Sequence, residues 1–203
     1  KPEVNANFYA AEKKREELLA QGYSEIFTSV FADKGERVVA NKVDGVRPYL
    51  RTTLVDGLKD ALDKNRRNKD LLGLSDVKLF EIGAVWKDGQ EIIMVGTANV
   101  KSTHETPLEV QNVIPDTYED LSLSQARRFQ PFSRYPFIVR DVSLWIPGEQ
   151  EAGEVERTIR ESAGALLQRI DLFDRFEKDG RTSLAFRLVF QSFDRTLLDE
   201  DAN

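Results

Sequence analysis

The chain has 203 residues, 40% hydrophobic and 32% charged, with a formal net charge of −6. That length admits one large domain or two small ones, and the apolar content suffices for a core. Cysteine is absent and His104 is the sole histidine, which excludes disulfides, thiolate metal sites and any His-rich metal centre. No run approaches the ~20 apolar residues of a membrane span. The opening Lys1-Pro2-Glu3-Val4 has neither Met nor an apolar signal segment, the pattern of a fragment or of a chain numbered from an internal point. An excess of acid argues against non-specific nucleic-acid binding, which rests on Lys and Arg, but leaves room for a small patch that recognises one folded RNA.

In chain order, Asn7 is positioned to cap a helix over Phe8 to Ala20, stopped by Gln21-Gly22. Ser24 to Phe31 reads as a strand, and Asp33-Lys34-Gly35 as a turn into a strand over Arg37 to Ala40. Leu50, Leu54, Leu58 and Leu62 form one apolar stripe of a second helix over Leu50 to Asn65. Val77 to Trp86 and Glu91 to Val100 flank Lys87-Asp88-Gly89-Gln90 as a hairpin. Residues 101–131 are polar, carry Pro107, Pro115 and Pro131, and show no sustained period; they read as a linker or as an extended arm.

After it the pattern is compact. A strand over Tyr135 to Ile146 is followed by a loop over Gly148 to Gly153 and a helix over Val155 to Leu167. In that helix Val155, Ile159, Ala163 and Leu166 share one face. Strands follow over Arg169 to Phe176 and Ser183 to Gln191, joined by a Gly-containing turn, and Leu198 to Asp201 resembles a capped acidic helix start. The order βαββα is that of a ferredoxin-like unit short of its last strand. The fold class expected is α+β.

Alternation assigns the faces of this sheet. Leu184, Phe186, Leu188 and Phe190 point to the helices, with Ile170, Leu172 and Phe176 beside them; Arg169, Asp171, Phe173, Arg175 and Arg187 take the open face. An aromatic ring among guanidinium groups suits unpaired RNA, with bases on the ring and phosphates on the cations. The same pattern also describes a solvated face of Arg–Asp cross-strand pairs, and residues 131–203 hold 10 basic against 14 acidic side chains. Elsewhere, the basic run Lys64 to Lys69 either touches phosphate or opposes a helix dipole. Trp86 and Trp145 read as core or interface residues, and Asp199-Glu200-Asp201 as a helix start rather than a cation site. GxxxxGK[ST] and GxGxxG loops are absent.

Phe8-Tyr9 with Glu12 to Gly22, Ser24-Glu25-Ile26 and Phe31 resembles the opening of the synthetase-like core in the β subunit of bacterial phenylalanyl-tRNA synthetase. Ala40-Asn41 followed by Arg47-Pro48-Tyr49-Leu50-Arg51-Thr52-Thr53-Leu54 and Gly57-Leu58 resembles its L-R-T-S-L signature, and Leu79-Phe80-Glu81-Ile82-Gly83 with Val85-Trp86 its L-F-E-I-G strand. Phe132 to Pro136, Arg140-Asp141-Val142, Leu172-Phe173-Asp174, Ser183 to Leu188 and Arg195-Thr196-Leu197 before Asp199-Glu200 resemble the ferredoxin-fold anticodon-binding domain.

The resemblance implies residues 1–100 as a class II synthetase-like antiparallel domain without catalytic residues, 101–131 as linker, and 132–203 as an anticodon-binding domain, apparently truncated. The class II G-x-G-x-x-R motif is absent. Implied partners are the catalytic α subunit, in an α2β2 assembly, and tRNA-Phe; ATP and Mg²⁺ belong to the parent enzyme, with no cofactor or metal in this chain. Localisation would be cytoplasmic, with no membrane partner and no editing activity. The tRNA-binding residues implied are Ser133, Arg134, Tyr135, Arg169, Phe173, Arg175 and Arg187. The rival readings are a small-molecule sensor of ferredoxin-like fold and a purely structural interaction module.

Overall fold

The computed structural model describes residues 3–40, 46–110, 115–121, 131–147 and 150–203. Asn41 of the signature, Gly148 and Glu149 of the loop, and parts of the 101–131 stretch lie outside these residues. The chain divides into two compact units, Lys1–Arg67 with Asp76–Ala126, and Asn68–Ser75 with Arg127–Asn203. Among the described residues no helix is long and apolar enough to cross a membrane.

The first unit is built on a four-stranded sheet. Helix α1 (Ala6–Ala20) starts two residues earlier than its sequence suggests, because Asn5, not Asn7, is the cap: its Oδ1 accepts from Phe8 N at 2.9 Å. β1 (Ser24–Glu25) is much shorter than expected and runs parallel to the strand over Leu79–Lys87; β2 (Phe31–Ala32) pairs instead with β3 (Tyr49–Leu50). Leu50 is thereby in a strand. α2 spans Val55–Arg66, and of the leucine stripe Leu54, Leu58 and Leu62 are buried. A one-turn helix α3 (Lys69–Leu72), part of the second unit, follows.

β4 (Leu79–Lys87) and β5 (Gln90–Ala98) form the expected hairpin, in register from Leu79–Ala98 to Lys87–Gln90. Asp88 and Gly89 both have positive φ, +54° and +74°, as a two-residue type I′ turn requires. β6 (Thr103–Pro107) adds to β5. It was expected as linker, and its short polar sequence hides it; Asn99 Oδ1 forms the turn before it by accepting from Lys101 N and Ser102 N. Both sheet faces are covered. Leu54, Leu58 and Leu62 pack with Val77, Leu79, Val85, Met94 and Ala98, while Leu18 of α1 packs with Phe80 and Val95. That explains why β4 is a nearly continuous apolar run.

One charged pair lies inside this unit. Arg51 Nη1 donates to Glu81 Oε1 at 2.7 Å, both side chains buried. Thr28 Oγ1 donates to Glu81 Oε2 at 2.6 Å, and Arg51 Nε to the Ala84 carbonyl at 2.9 Å. A Cβ on Gly83 would stand 2.4 Å from Arg51 Nη2, so the glycine leaves room for the guanidinium. Glu105 of β6 accepts from Leu54 N at 2.7 Å, a carboxylate at the start of α2. His104 pairs across the strands with Thr97, its Nε2 3.2 Å from Oγ1.

The second unit holds an antiparallel sheet in the order β7-β9-β8, from β7 (Ile138–Pro147), β8 (Leu167–Lys178) and β9 (Arg181–Phe190). The β8–β9 hairpin turns through Asp179 and Gly180, again both at positive φ. α4 (Ala152–Ala163) lies over one face, its Val155, Ile159 and Ala163 packing with Ile146, Leu167, Ile170, Leu184, Phe186, Leu188 and Phe190. The acidic stretch at 199–201 is a 3₁₀ turn, with Asp201 accepting from Leu198 N at 2.8 Å. Arg195 grips the Asp201 carboxylate with two hydrogen bonds of 2.6 and 2.7 Å. This pairing, with the Leu198 amide, lowers the Asp201 carboxyl from 3.8 to about 2.

Two predictions follow from these contacts. Arg51→Met strands the buried Glu81 charge and is expected to cost about 3–5 kcal/mol in urea denaturation, with Arg51→Met/Glu81→Leu recovering most of the loss. The Arg195–Asp201 contribution to stability is present above about pH 4 and is lost as pH falls toward 2, because folding lowers this carboxyl. An acid titration followed at the Leu198 amide is expected to show that transition, and Asp201→Asn to abolish it.

Candidate nucleic-acid interface

β9 is the central strand, so its alternation sorts the second unit. Leu184, Phe186, Leu188 and Phe190 are buried on the α4 side, as expected. On the other face stand Arg181, Ser183, Ala185, Arg187 and Val189; Ala185 and Val189 are also buried, so this face is only partly open. Cross-strand partners share a face, which places Asp141, Ser143 and Trp145 of β7 beside Arg187, Ala185 and Ser183.

β8 departs from the alternation that the sequence suggests. Leu172 pairs with Phe186 and Asp174 with Ala185, so Phe173 is the extra residue of a β-bulge. A second irregularity lies between Leu167 and Arg169. Beyond Phe173 the two faces exchange. Arg175 pairs with Leu184 and falls on the row facing α4, whereas Phe176 pairs with Ser183 and joins the open face. Both assignments reverse the expected ones. Phe176 is 55% exposed and meets Trp145, 45% exposed, edge to face at 6.2 Å between centroids. Arg181 lies over the Trp145 ring at 5.7 Å. Trp145, expected as a core or interface residue, is thus half of an exposed aromatic pair with a cation above it.

The remaining expected site residues are scattered along the sheet. Phe173, in the bulge, is 53% exposed and lies under Arg187, whose guanidinium carbon is 5.3 Å from the ring centroid. Arg187 grips Asp141 through two bonds of 2.8 and 2.9 Å and reaches Asp70 at 3.2 Å. Hydrogen bonding to Asp141, ahead of the charges of Asp141 and Asp70, raises the Arg187 pKa; the same pairing lowers that of Asp141. Arg169 grips Asp171 at 2.6 and 2.7 Å, and Arg175 pairs with Glu177 at 2.7 Å. The cross-strand Arg–Asp pairing left open by the sequence is therefore present at Arg187 and Asp141, whereas Arg169 pairs with Asp171 along its own strand.

At the start of β7, Ser133 Oγ donates to the Ser192 carbonyl at 2.6 Å and accepts from Tyr135 N at 3.1 Å. Gln191 holds the Tyr135 carbonyl at 2.6 Å, and Arg134 lies over the Tyr135 ring at 5.5 Å. These residues fasten the lead-in segment to the end of β9. Ser133 is occupied in that role, while Arg134 is exposed.

Residues 133–203 match the family described as the ferredoxin-fold anticodon binding domain. The match covers the sheet of the second unit. Its strand order β7-β9-β8, with α4 on one face, supplies the sheet of the ferredoxin fold. The chain is similar to the phenylalanine–tRNA ligase β subunit of Synechococcus sp. (strain JA-3-3Ab), 35% identical over 126 residues, 58% of this chain and 15% of the relative. Those of Salinibacter ruber and Moorella thermoacetica are 37% identical over 89 residues and 41% over 88, covering 42% and 41% of this chain. The matches span 15% or less of the length of these relatives.

The aromatic pair on the ferredoxin-fold domain was missed because strict alternation carries Phe176 to the buried side; no single residue type announces the bulge. Its position is testable by stability alone. Phe176→Ala is expected to cost less than about 1 kcal/mol in urea denaturation, as for an exposed side chain, whereas Phe186→Ala costs about 3–5 kcal/mol.

Proposed function

We propose that this chain is part of the β subunit of a phenylalanine–tRNA ligase and that its ferredoxin-fold domain binds the anticodon region of tRNA-Phe. The observation that carries the reading is the exposed Trp145–Phe176 pair with Arg181 above it, in a domain matching the anticodon-binding family. Unpaired bases stack on such rings. Phe173 extends the aromatic surface, with Arg134, Arg169 and Arg187 as candidate phosphate contacts. Ser133 and Tyr135 contribute by holding Arg134 in place, and Arg175, on the other row of β8, stands outside the surface. Specificity on this reading comes from stacking and base-edge hydrogen bonds, with cations setting the register.

The first unit takes the part of a class II-like core that supports the catalytic α subunit in an α2β2 enzyme. The two segments that resemble the family's core signature are joined by the buried Arg51–Glu81 pair, which supports a scaffold role over a catalytic one. Phenylalanine activation with ATP and Mg²⁺ is assigned to the α subunit, in the cytoplasm. Among the described residues no group of three His, Cys, Asp or Glu side chains could hold a metal ion in this chain. The carboxylate partners of Arg169 and Arg187 favour a second reading, in which the open face is a protein-interaction surface.

Binding to a tRNA-Phe anticodon stem-loop, beside an unrelated stem-loop and at two salt concentrations, separates them. Phe176→Ala and Trp145→Ala are each expected to weaken selective binding by about 1–3 kcal/mol, and Arg181→Ala to flatten its salt dependence. Absence of selective binding in a folded sample would favour the interaction-surface reading.

A further inference from the structure

The second unit contains a segment remote in sequence from the rest of it, Asn68–Ser75. This segment meets two of the candidate phosphate contacts with two oxygen atoms. Asp70 Oδ1 is 3.2 Å from Arg187 Nη1, and the Leu72 carbonyl accepts from Arg169 Nη1 at 3.5 Å. The Arg169 guanidinium lies against Gly73. A Cβ there would lie 1.7 Å from the guanidinium carbon of Arg169, and φ is +66°. The left-handed turn favours glycine here, and its missing side chain lets the Arg169 guanidinium lie against the backbone.

The attachment is slight. No residue of α3 is buried, and Leu72 and Leu74 are both exposed. Asp141 and Asp171 hold Arg187 and Arg169 independently of the segment, so both guanidiniums stay in place if it leaves. A carboxylate and a carbonyl presented together to two fixed guanidiniums resemble the oxygens of a phosphodiester, which Arg recognises through the same donors.

Resting on the anticodon reading above, we propose that Arg169 and Arg187 are a phosphate-binding pair whose place is taken by Asn68–Ser75, and that RNA binds by displacing this segment. The competition is between like charges: Asp70 gives way to a phosphate of the bound strand. It makes the segment a brake on RNA affinity, and one that exposed ion pairs of modest strength can release.

The test compares the wild-type chain with Asp70→Asn, using the tRNA-Phe anticodon stem-loop as probe. Asp70→Asn is expected to bind about two- to fivefold more tightly at low salt, the effect of one exposed ion pair, with the difference shrinking as salt rises. In the wild-type complex, hydrogen exchange at Gly73 and Leu74, whose amides are bonded to Asp70 and Lys69 carbonyls, is expected to accelerate. Equal or weaker binding by Asp70→Asn, with exchange at 73–74 unchanged by RNA, overturns the displacement while leaving anticodon binding intact. Failure of both proteins to bind the stem-loop overturns the anticodon reading and this inference with it.

Discussion

The second unit depends on the burial of one face of its central strand. Leu184, Phe186, Leu188 and Phe190 fix which side of β9 meets α4, and through cross-strand pairing they fix the sides of β7 and β8 as well. The opposite face is then free to carry rings and charges. Its chemistry is ordered along the strands. At the hairpin end stand Trp145, Phe176 and Arg181; toward the middle Phe173 lies under Arg187; nearer the start of β8 stands Arg169 with Asp171. Rings and cations thus alternate along the face, and the acidic partners of Arg187 and Arg169 keep these cations from acting as a general polyanion trap, in keeping with a net charge of −6.

The first unit depends on a different device. An ion pair removed from water is a poor source of stability on its own, since desolvation opposes the attraction. Here it is surrounded by partners: Glu81 receives Arg51 and Thr28, while Arg51 also reaches backbone carbonyls. These bonds tie the 28 and 51 segments, which have little regular structure around them, to β4 at 81–84. Short strands such as β1 and β3 are positioned by backbone pairing, β1 to β4 and β3 to β2.

What the sequence revealed follows the strength of its periodicity. The β4–β5 hairpin, the leucine stripe of α2 and the apolar side of β9 were legible because burial repeats at a fixed interval and Asp-Gly turns mark the reversals. β6 was not, because an edge strand of Thr103 to Pro107 carries no apolar alternation. The open face of the ferredoxin-fold domain was half legible: Arg169, Phe173 and Arg187 were placed correctly, while one extra residue at Phe173 inverted everything after it and concealed Phe176. The pairing of Arg187 with Asp141 is legible as a possibility, since opposite charges at facing positions invite it. The approach of Asp70 to Arg187, 117 residues apart in the chain, had no local signal at all.

The buried Arg51–Glu81 pair also bears on how this core can change over generations. Arg51, Glu81 and Gly83 form a closed set: loss of either charge leaves the other stranded, and a side chain at 83 collides with the guanidinium. An apolar core of similar volume is physically reasonable, but every single-step route to it passes through a protein with one unmatched ion inside. Such intermediates are poorly tolerated by a marginally stable fold. The three positions are therefore expected to drift together or to stand still, so that an ancestral electrostatic choice persists even where no present-day function asks for it.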